Sequence, residues 1–377
     1  MTVRILHTAD WQMGRQYGRF APEDAVVLAE ARFSTVERIA SLAVAEEADA
    51  VLVAGDVFDA QTVSDRTIRR VFNALQGFAG PWILIPGNHD AALAESVWTQ
   101  AARLGAIPAN AHVLLEPGVY EFADLGFSVL AAPLTQRQTH LDLTDWFDAK
   151  ETAPGLLRIG LAHGSVQGIL AEDIDSSNPI AADRAERARL DYLALGDWHG
   201  LKQINDRVWY SGTPEYERFK DNGAGQVLMV ELSAPGEPPA VTPHAVTQYR
   251  WLSWREEVSV SSDLEPLLQR LSHLEPDVVL ELTVSGQIDL DGDSRLQQAL
   301  SIAQGQCRSV QCDRGALRLV PTEQDITALR ADGYLSEVIA DLRERQDAAD
   351  SGSAEIAREA LALLAGMLRD GAAGKRA

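Results

Sequence analysis

The stretch Ala50-Val-Leu-Val-Ala-Gly-Asp-Val-Phe-Asp59 is an apolar run that stops abruptly at a glycine followed by acids. A similar design recurs twice, with alanine before the acid in one case and glycine before Asn-His-Asp in the other. Val3–Thr8 runs into Ala9-Asp-Trp-Gln12, and Trp82–Ile85 runs into Pro86-Gly-Asn-His-Asp90. Helical patterns fill the intervals, roughly residues 25–47 and 65–75, and apolar runs alternating with amphipathic stretches predict a sheet covered by helices. Further strands are expected at residues 127–131, 157–162 and 192–195. From about residue 208 to 246 the pattern turns strand-rich, with RVWYSG and GQVLMVELS bounded by glycine and proline, which predicts a second sheet completing the domain.

A proline-rich punctuation, PGEPPAVTP, precedes the expected change of domain near Tyr249. Residues 249–321 then read strand, helix, strand, helix, strand, and are expected to form a small α+β domain. Beyond Pro321, Ile326, Leu329, Leu335, Val338, Ile339 and Leu342 follow helical spacing, as do Ile356, Ala360, Leu363, Leu364, Met367 and Leu368. The expected divisions are thus 1–248, 249–321 and 322–377.

The net charge of −22 argues against a uniformly basic nucleic-acid binder, because phosphate contact relies on Lys and Arg. Any such binding must use a local patch or bound metal. The opening MTVRILHTADW lacks an apolar run long enough for a signal peptide, and no segment has the length to span a bilayer, so a cytoplasmic protein without membrane contact is expected. The two cysteines, Cys307 and Cys312, form no disulfide framework and do not match a zinc-site spacing.

Five short motifs fall where an expected strand ends and a loop begins, the edge where open α/β folds place ligands. They are Asp10-Trp-Gln12, Gly55-Asp56-Val-Phe-Asp59, Gly87-Asn88-His89-Asp90, His163-Gly164 and Gly196-Asp197-Trp-His199-Gly200. Each sets a carboxylate, amide or imidazole beside a small residue, so the side chains can converge with little obstruction. Oxygen and nitrogen donors without thiolates suit manganese, iron or zinc. A pair of such ions about 3.5–4 Å apart clamps a phosphate, acidifies a water and stabilises the attacking and leaving oxygens.

These motifs, in this order, resemble the calcineurin-like metallophosphoesterases, whose pattern is D-x-H, G-D-x-x-D, G-N-H-D/E, a lone H-G and G-H-x-H. Within that superfamily, the opening ILHTADWQMGR followed by a long helix and GDVFD resembles the SbcD exonuclease-subunit family. The resemblance implies a four-layer α-β-β-α sandwich with a small cap domain and C-terminal helices. It implies two divalent metal ions, manganese foremost with iron or zinc acceptable. Asp10 and His199 would hold the first, Asn88 and His163 the second, and Asp56 both. His89 would contact the scissile phosphate and give a proton to the leaving oxygen, with Asp90 orienting the imidazole. Two departures stand out: Gln12 replaces the first-motif histidine and Asp197 the first histidine of G-H-x-H, and both are expected to be ligands. His7 is expected to pack or bond beside the site, and Asp59 to support the site or cap a helix.

For substrate, Arg15 and Arg19 of GRQYGR follow the first motif with no intervening acid and are expected to contact the phosphate backbone. The stretch Tyr210-Ser-Gly-Thr-Pro214 resembles a family turn near the active site, and its backbone at Tyr210 is expected to flank substrate, although tight-turn geometry alone also explains it. The resemblance implies a nuclease acting at DNA ends with an SbcC-like ABC-type ATPase docked on the C-terminal helices, and a homodimer. Two alternatives compete: a small-molecule phosphatase or cyclic-nucleotide phosphodiesterase, favoured by the acidic balance, and a catalytically weakened DNA- or ATPase-binding scaffold, suggested by Gln12 and Asp197.

Overall fold

The apolar runs are strands in a computed structural model, which describes residues 2–168, 177–322, 334–346 and 351–373. Parallel strands β1 (Val3–Thr8), β2 (Ala50–Ala54), β3 (Trp82–Ile85) and β4 (Ala111–Val113) lie side by side. Helices α1 (Pro22–Ala45), α2 (Asp65–Ala74) and α3 (Val97–Arg103) connect them. Pro22 opens α1, where its missing N–H would lack a partner anyway, and Ser64 and Ser96 cap α2 and α3 by accepting from Thr67 and Thr99 amides.

A second sheet contains β5 (Gly118–Phe122), β6 (Phe127–Ala132) and β7 (Leu157–His163). A two-stranded ribbon, β8 (Ser165–Val166) and β9 (Pro179–Ile180), leads from it, and β10 (Tyr192–Gly196), β11 (Lys202–Asn205) and β12 (Val208–Tyr210) complete it in the order β11-β12-β10-β7-β6-β5. The chain then returns to the first sheet as β13 (Gln226–Leu232) and β14 (Ala240–Ala245), giving the order β14-β13-β1-β2-β3-β4.

The two-residue period of the strands builds the layers. Ile5, Leu52 and Ile83 face inward onto Phe127, Ile159 and Tyr192 of the second sheet. Their neighbours Leu6, Val51, Val53 and Leu84 face outward beneath Val36, Ile39, Ile68 and Phe72 of the helices. The fourth layer is thin: Phe147 of a 3₁₀ turn at Asp145–Ala149 and Ala185 of the short α4 (Arg184–Arg187) cover Leu130, Leu193 and Leu195. Arg184 is buried there among carboxylates, 2.8 Å from Asp142 and 2.6 Å from Asp148, with Asp145 also in contact.

The chain divides into two units, Met1–Tyr249 and Arg250–Ala377, so the segment after residue 322 falls within the second. That unit contains β15 (Arg250–Val258), α5 (Leu264–Ser272), β16 (Val278–Ile288), α6 (Leu290–Gln306), β17 (Ser309–Leu319), α7 (Tyr334–Gln346) and α8 (Ser351–Ala373). The α+β expectation is corrected: β15, β16 and β17 are all parallel, because a helix carries the chain back between successive strands, making a βαβαβ unit of the α/β kind. Leu280, Leu282 and Val284 pack there with Leu267, Leu271, Leu296 and Leu300. In the tail, Ile326 and Leu329 lie outside the described residues. In α8 the buried stripe is Ala354, Ala357 and Leu361, whereas Ile356, Leu363 and Met367 are 71%, 67% and 72% exposed.

Candidate metal centre

Parallel β1, β2 and β3 end at one edge, and backbone bonds zip the first two loops together there. Asp10 N donates to Gly55 O and Gln12 N to Asp56 O, each at 3.0 Å, and Met13 N donates to Val57 O at 2.9 Å. In the second sheet, Gly196 pairs in register with His163, so β7 and β10 deliver their motifs side by side. Four of the seven non-glycine residues with positive φ among the described residues are Asp10 (54°), Gln12 (50°), Asp56 (53°) and Asp197 (100°). Such conformations cost about 1–3 kcal/mol each and persist where surroundings over-determine them. Glycine is required at 87 and 196 by close approach: a Cβ on Gly87 would stand 2.2 Å from Asp56 Oδ1, and one on Gly196 2.1 Å from Ala54 O.

One donor atom from each of Asp10, Asp56 and His199 lies within 4.8 Å of the others. His163 donates Nδ1–H to Ala54 O at 2.8 Å, leaving Nε2 3.7 Å from Asp56 Oδ1 and 3.8 Å from Asp197 Oδ1. Those gaps exceed a hydrogen bond, yet donors sharing an ion at roughly 2.1 Å each stand about 3–4 Å apart. His163 Nε2, Asn88 Oδ1 and Gln12 Oε1 are buried without a hydrogen-bond partner. Orphaned donor atoms of this kind beside two or more carboxylates fit a cation. The donor set fits a hard or borderline divalent ion.

Electrostatics agree. Burial disfavours the His163 cation, yet Asp56, Asp10 and Asp197 lift its pKa to about 9. Burial raises Asp10 to about 6, against the opposing pull of His199 and His163, and burial also raises Asp197. Crowded buried carboxylates gather protons, and a cation takes the place of those protons when it binds.

His89 donates Nδ1–H to the Asp59 carbonyl at 2.8 Å, which leaves Nε2 as the ring atom able to exchange a proton. The expected orienting role of Asp90 is corrected here. Its carboxylate accepts from Gly87 N at 2.7 Å and Phe58 N at 3.1 Å, so it fastens the third motif to the second and does not touch the imidazole. Burial, reinforced by Asp56, pushes Asp90 to about 7.

Glu217, which carries no sequence motif, holds His199 through an Oε1–Nδ1 contact of 2.5 Å. A histidine ligand commonly rests its second nitrogen on a carboxylate, but PEYERF offers Glu215 and Glu217 equally, and only the fold separates them. Glu215 instead accepts from Thr35, Thr247 and the amides of Gln248 and Tyr249. Two residues expected beside substrate also have partners within the protein. Arg15 is ion-paired to Asp59 and Glu217, and Tyr210 is buried, donating to Gly164 O at 2.8 Å and accepting from Val166 N at 2.9 Å. Arg19 stacks on Phe20 and Phe219. His7 is buried against Tyr192 and Leu195, as expected of a packing residue, and burial lowers its pKa to about 3.

The model of the calcineurin-like phosphoesterase family matches residues 3–229, which contain every motif of this centre. The chain belongs to that family. Family membership implies phosphoester hydrolysis with divalent metal. The chain is 23% identical over 336 residues to the SbcD subunit of the SbcCD nuclease of Bacillus subtilis, covering 79% of this chain and 83% of the relative. The SbcD subunit from Rhodobacter capsulatus is 40% identical over 95 residues, 24% of this chain and 22% of that one. The DNA double-strand break repair protein Mre11 of Methanosarcina acetivorans is 25% identical over 312 residues, 76% of this chain and 46% of that one. No helix among the described residues is long and apolar enough to cross a membrane.

Proposed function

We propose that this chain is a two-metal phosphodiesterase acting on DNA ends, as the nuclease subunit of an assembly with an ABC-type ATPase. The observation that carries the chemistry is the Asp10–Asp56–His199 cluster, with the orphaned His163 Nε2 3.7 Å from Asp56 and the Gln12 amide bonded to the same carboxylate, and a further buried, unpartnered donor on Asn88. Asp10, Gln12 and His199 would hold one ion, Asn88, His163 and Asp197 the other, and Asp56 both, with manganese first and iron or zinc alternatives. The bound pair would polarise the phosphate and acidify the attacking water. His89, fixed through Nδ1, presents Nε2 to protonate the leaving oxygen. A scaffold without chemistry has no use for this set of unmatched donors.

The DNA reading rests on the SbcD and Mre11 relatives and on the site's rim. Lys202 and Lys220 lie 5.2 and 4.8 Å from the ring of Trp198, which sits between Asp197 and His199. Cations beside an aromatic ring suit a nucleic-acid backbone despite the acidic whole. Exposed Ile356, Leu363 and Met367 on one stripe of α8 favour a helical partner docking there.

Purified protein and His89→Ala, each with manganese, are assayed on linear duplex DNA and on bis-p-nitrophenyl phosphate. Degradation of DNA that falls about 10²–10⁴-fold in the variant supports the proposal. Hydrolysis of the small ester alone favours the small-molecule phosphodiesterase, which the charge of −22 also suits.

A further inference from the structure

We infer that Arg15 is a positioning residue that couples the two imidazoles of the site, His89 and His199, into one unit. Its NH1 stands 3.0 Å from Asp59 Oδ1 and 3.2 Å from Glu217 Oε2. Each carboxylate belongs to a residue that holds one imidazole. The Asp59 carbonyl accepts from His89 Nδ1 at 2.8 Å, and Glu217 Oε1 meets His199 Nδ1 at 2.5 Å. One guanidinium nitrogen therefore joins the loop after β1, the loop after β2 and the segment after β12. The far side of the strap is itself pinned. Arg32, buried, reaches Glu217 Oε2 at 3.5 Å and donates to the Trp11 carbonyl at 2.7 Å, while Asp59 N donates to Met13 O at 3.1 Å.

Without Arg15 the two carboxylates would lose their shared counter-charge, and each imidazole would keep its hydrogen bond to a less constrained anchor. The Arg15–Asp59 contact is a charge-assisted hydrogen bond, about twice as strong as a neutral one, and the Glu217 contact is an ion pair to a buried carboxylate; supporting groups of this kind change metal affinity or activity about 10–100-fold. The inference rests on the hydrolase reading for the role of His89. It assigns Arg15 a different duty from a phosphate contact, and the two duties part in measurement.

Arg15→Ala and Arg15→Lys are compared with the wild type in manganese calorimetry and in kinetics on bis-p-nitrophenyl phosphate and linear duplex DNA. A positioning role lowers kcat by the same factor on both substrates, about tenfold or more, and weakens manganese binding, with partial recovery in the lysine variant. KM for DNA and the slope of binding against salt stay as in the wild type. A loss confined to DNA, appearing as a raised KM and a salt slope smaller by about 1, makes Arg15 a phosphate contact and overturns the inference. If the wild type hydrolyses neither substrate, the hydrolase reading fails on its own, and unchanged manganese affinity in Arg15→Ala would still overturn the strap. Asp59→Asn, which keeps the carbonyl and removes the charge, tests the same bridge should Arg15→Ala not fold.

Discussion

Gln12 donates its side-chain amide to Asp56 Oδ2 at 2.7 Å, so the central carboxylate of the site carries a neutral donor where the family pattern has a histidine. That hydrogen bond competes with a cation for the same oxygen, while Gln12 Oε1 remains an unpartnered and weaker donor than an imidazole.

Gln12→His removes the competing amide and supplies a ring nitrogen. Manganese affinity measured by calorimetry should rise about tenfold, with the larger gain at the weaker of two binding steps. Equal or weaker binding in the variant would mean that the glutamine amide is a supporting group and position 12 is not a ligand.

Asp90 is a fastener, since its oxygens take the amides of Gly87 and Phe58 in a buried setting. Asp90→Ala strands two buried donors, each worth about 1–3 kcal/mol, and the urea midpoint should fall accordingly with activity falling as the His89 loop loosens. A fully stable variant that is inactive would instead return Asp90 to a direct part in proton transfer.

Arg184 and its carboxylates set the acid stability of the outer layer. Burial works against the Asp142 carboxylate, but bonds from Thr144, Arg184 and Ala181 hold its pKa below the usual value. A depressed folded-state pKa gives stability that is present above the unfolded value near 3.8 and is lost as pH falls through the lower folded one. Thermal melts from pH 6 down to pH 3 should therefore decline less steeply in Asp142→Asn than in the wild type. At neutral pH, Arg184→Leu should cost about 1–3 kcal/mol by leaving the half-buried Asp142 and Asp148 without the guanidinium bonds they now accept. Parallel melting curves for wild type and Asp142→Asn would count against this account.

Local signals along the chain were enough to locate the strands that matter. Uninterrupted apolar runs such as Ala50–Ala54 can be satisfied only inside a sheet covered on both faces, and glycine with an acid at their ends marks loops facing one edge. The same signals singled out Asp10, Asp56, Asn88, His163, Asp197 and His199 as expected ligands, and the structure sets Asp10, Asp56 and His199 together, with His163 beside Asp56 and Asp197. What they could not fix is pairing between residues remote in the chain. The choice of Glu217 over Glu215 beside His199, the pairing of Arg15 with Asp59 and Glu217, and the turning of Asp90 onto backbone amides all depend on which segments the two sheets bring together. The parallel sheet of the second unit, by contrast, was implied by the order strand, helix, strand, helix, strand, because a crossover helix returns the chain to start the next strand at the same end. A charged side chain takes its partner from whatever the folded chain sets within reach, and no stretch of neighbouring residues carries that information.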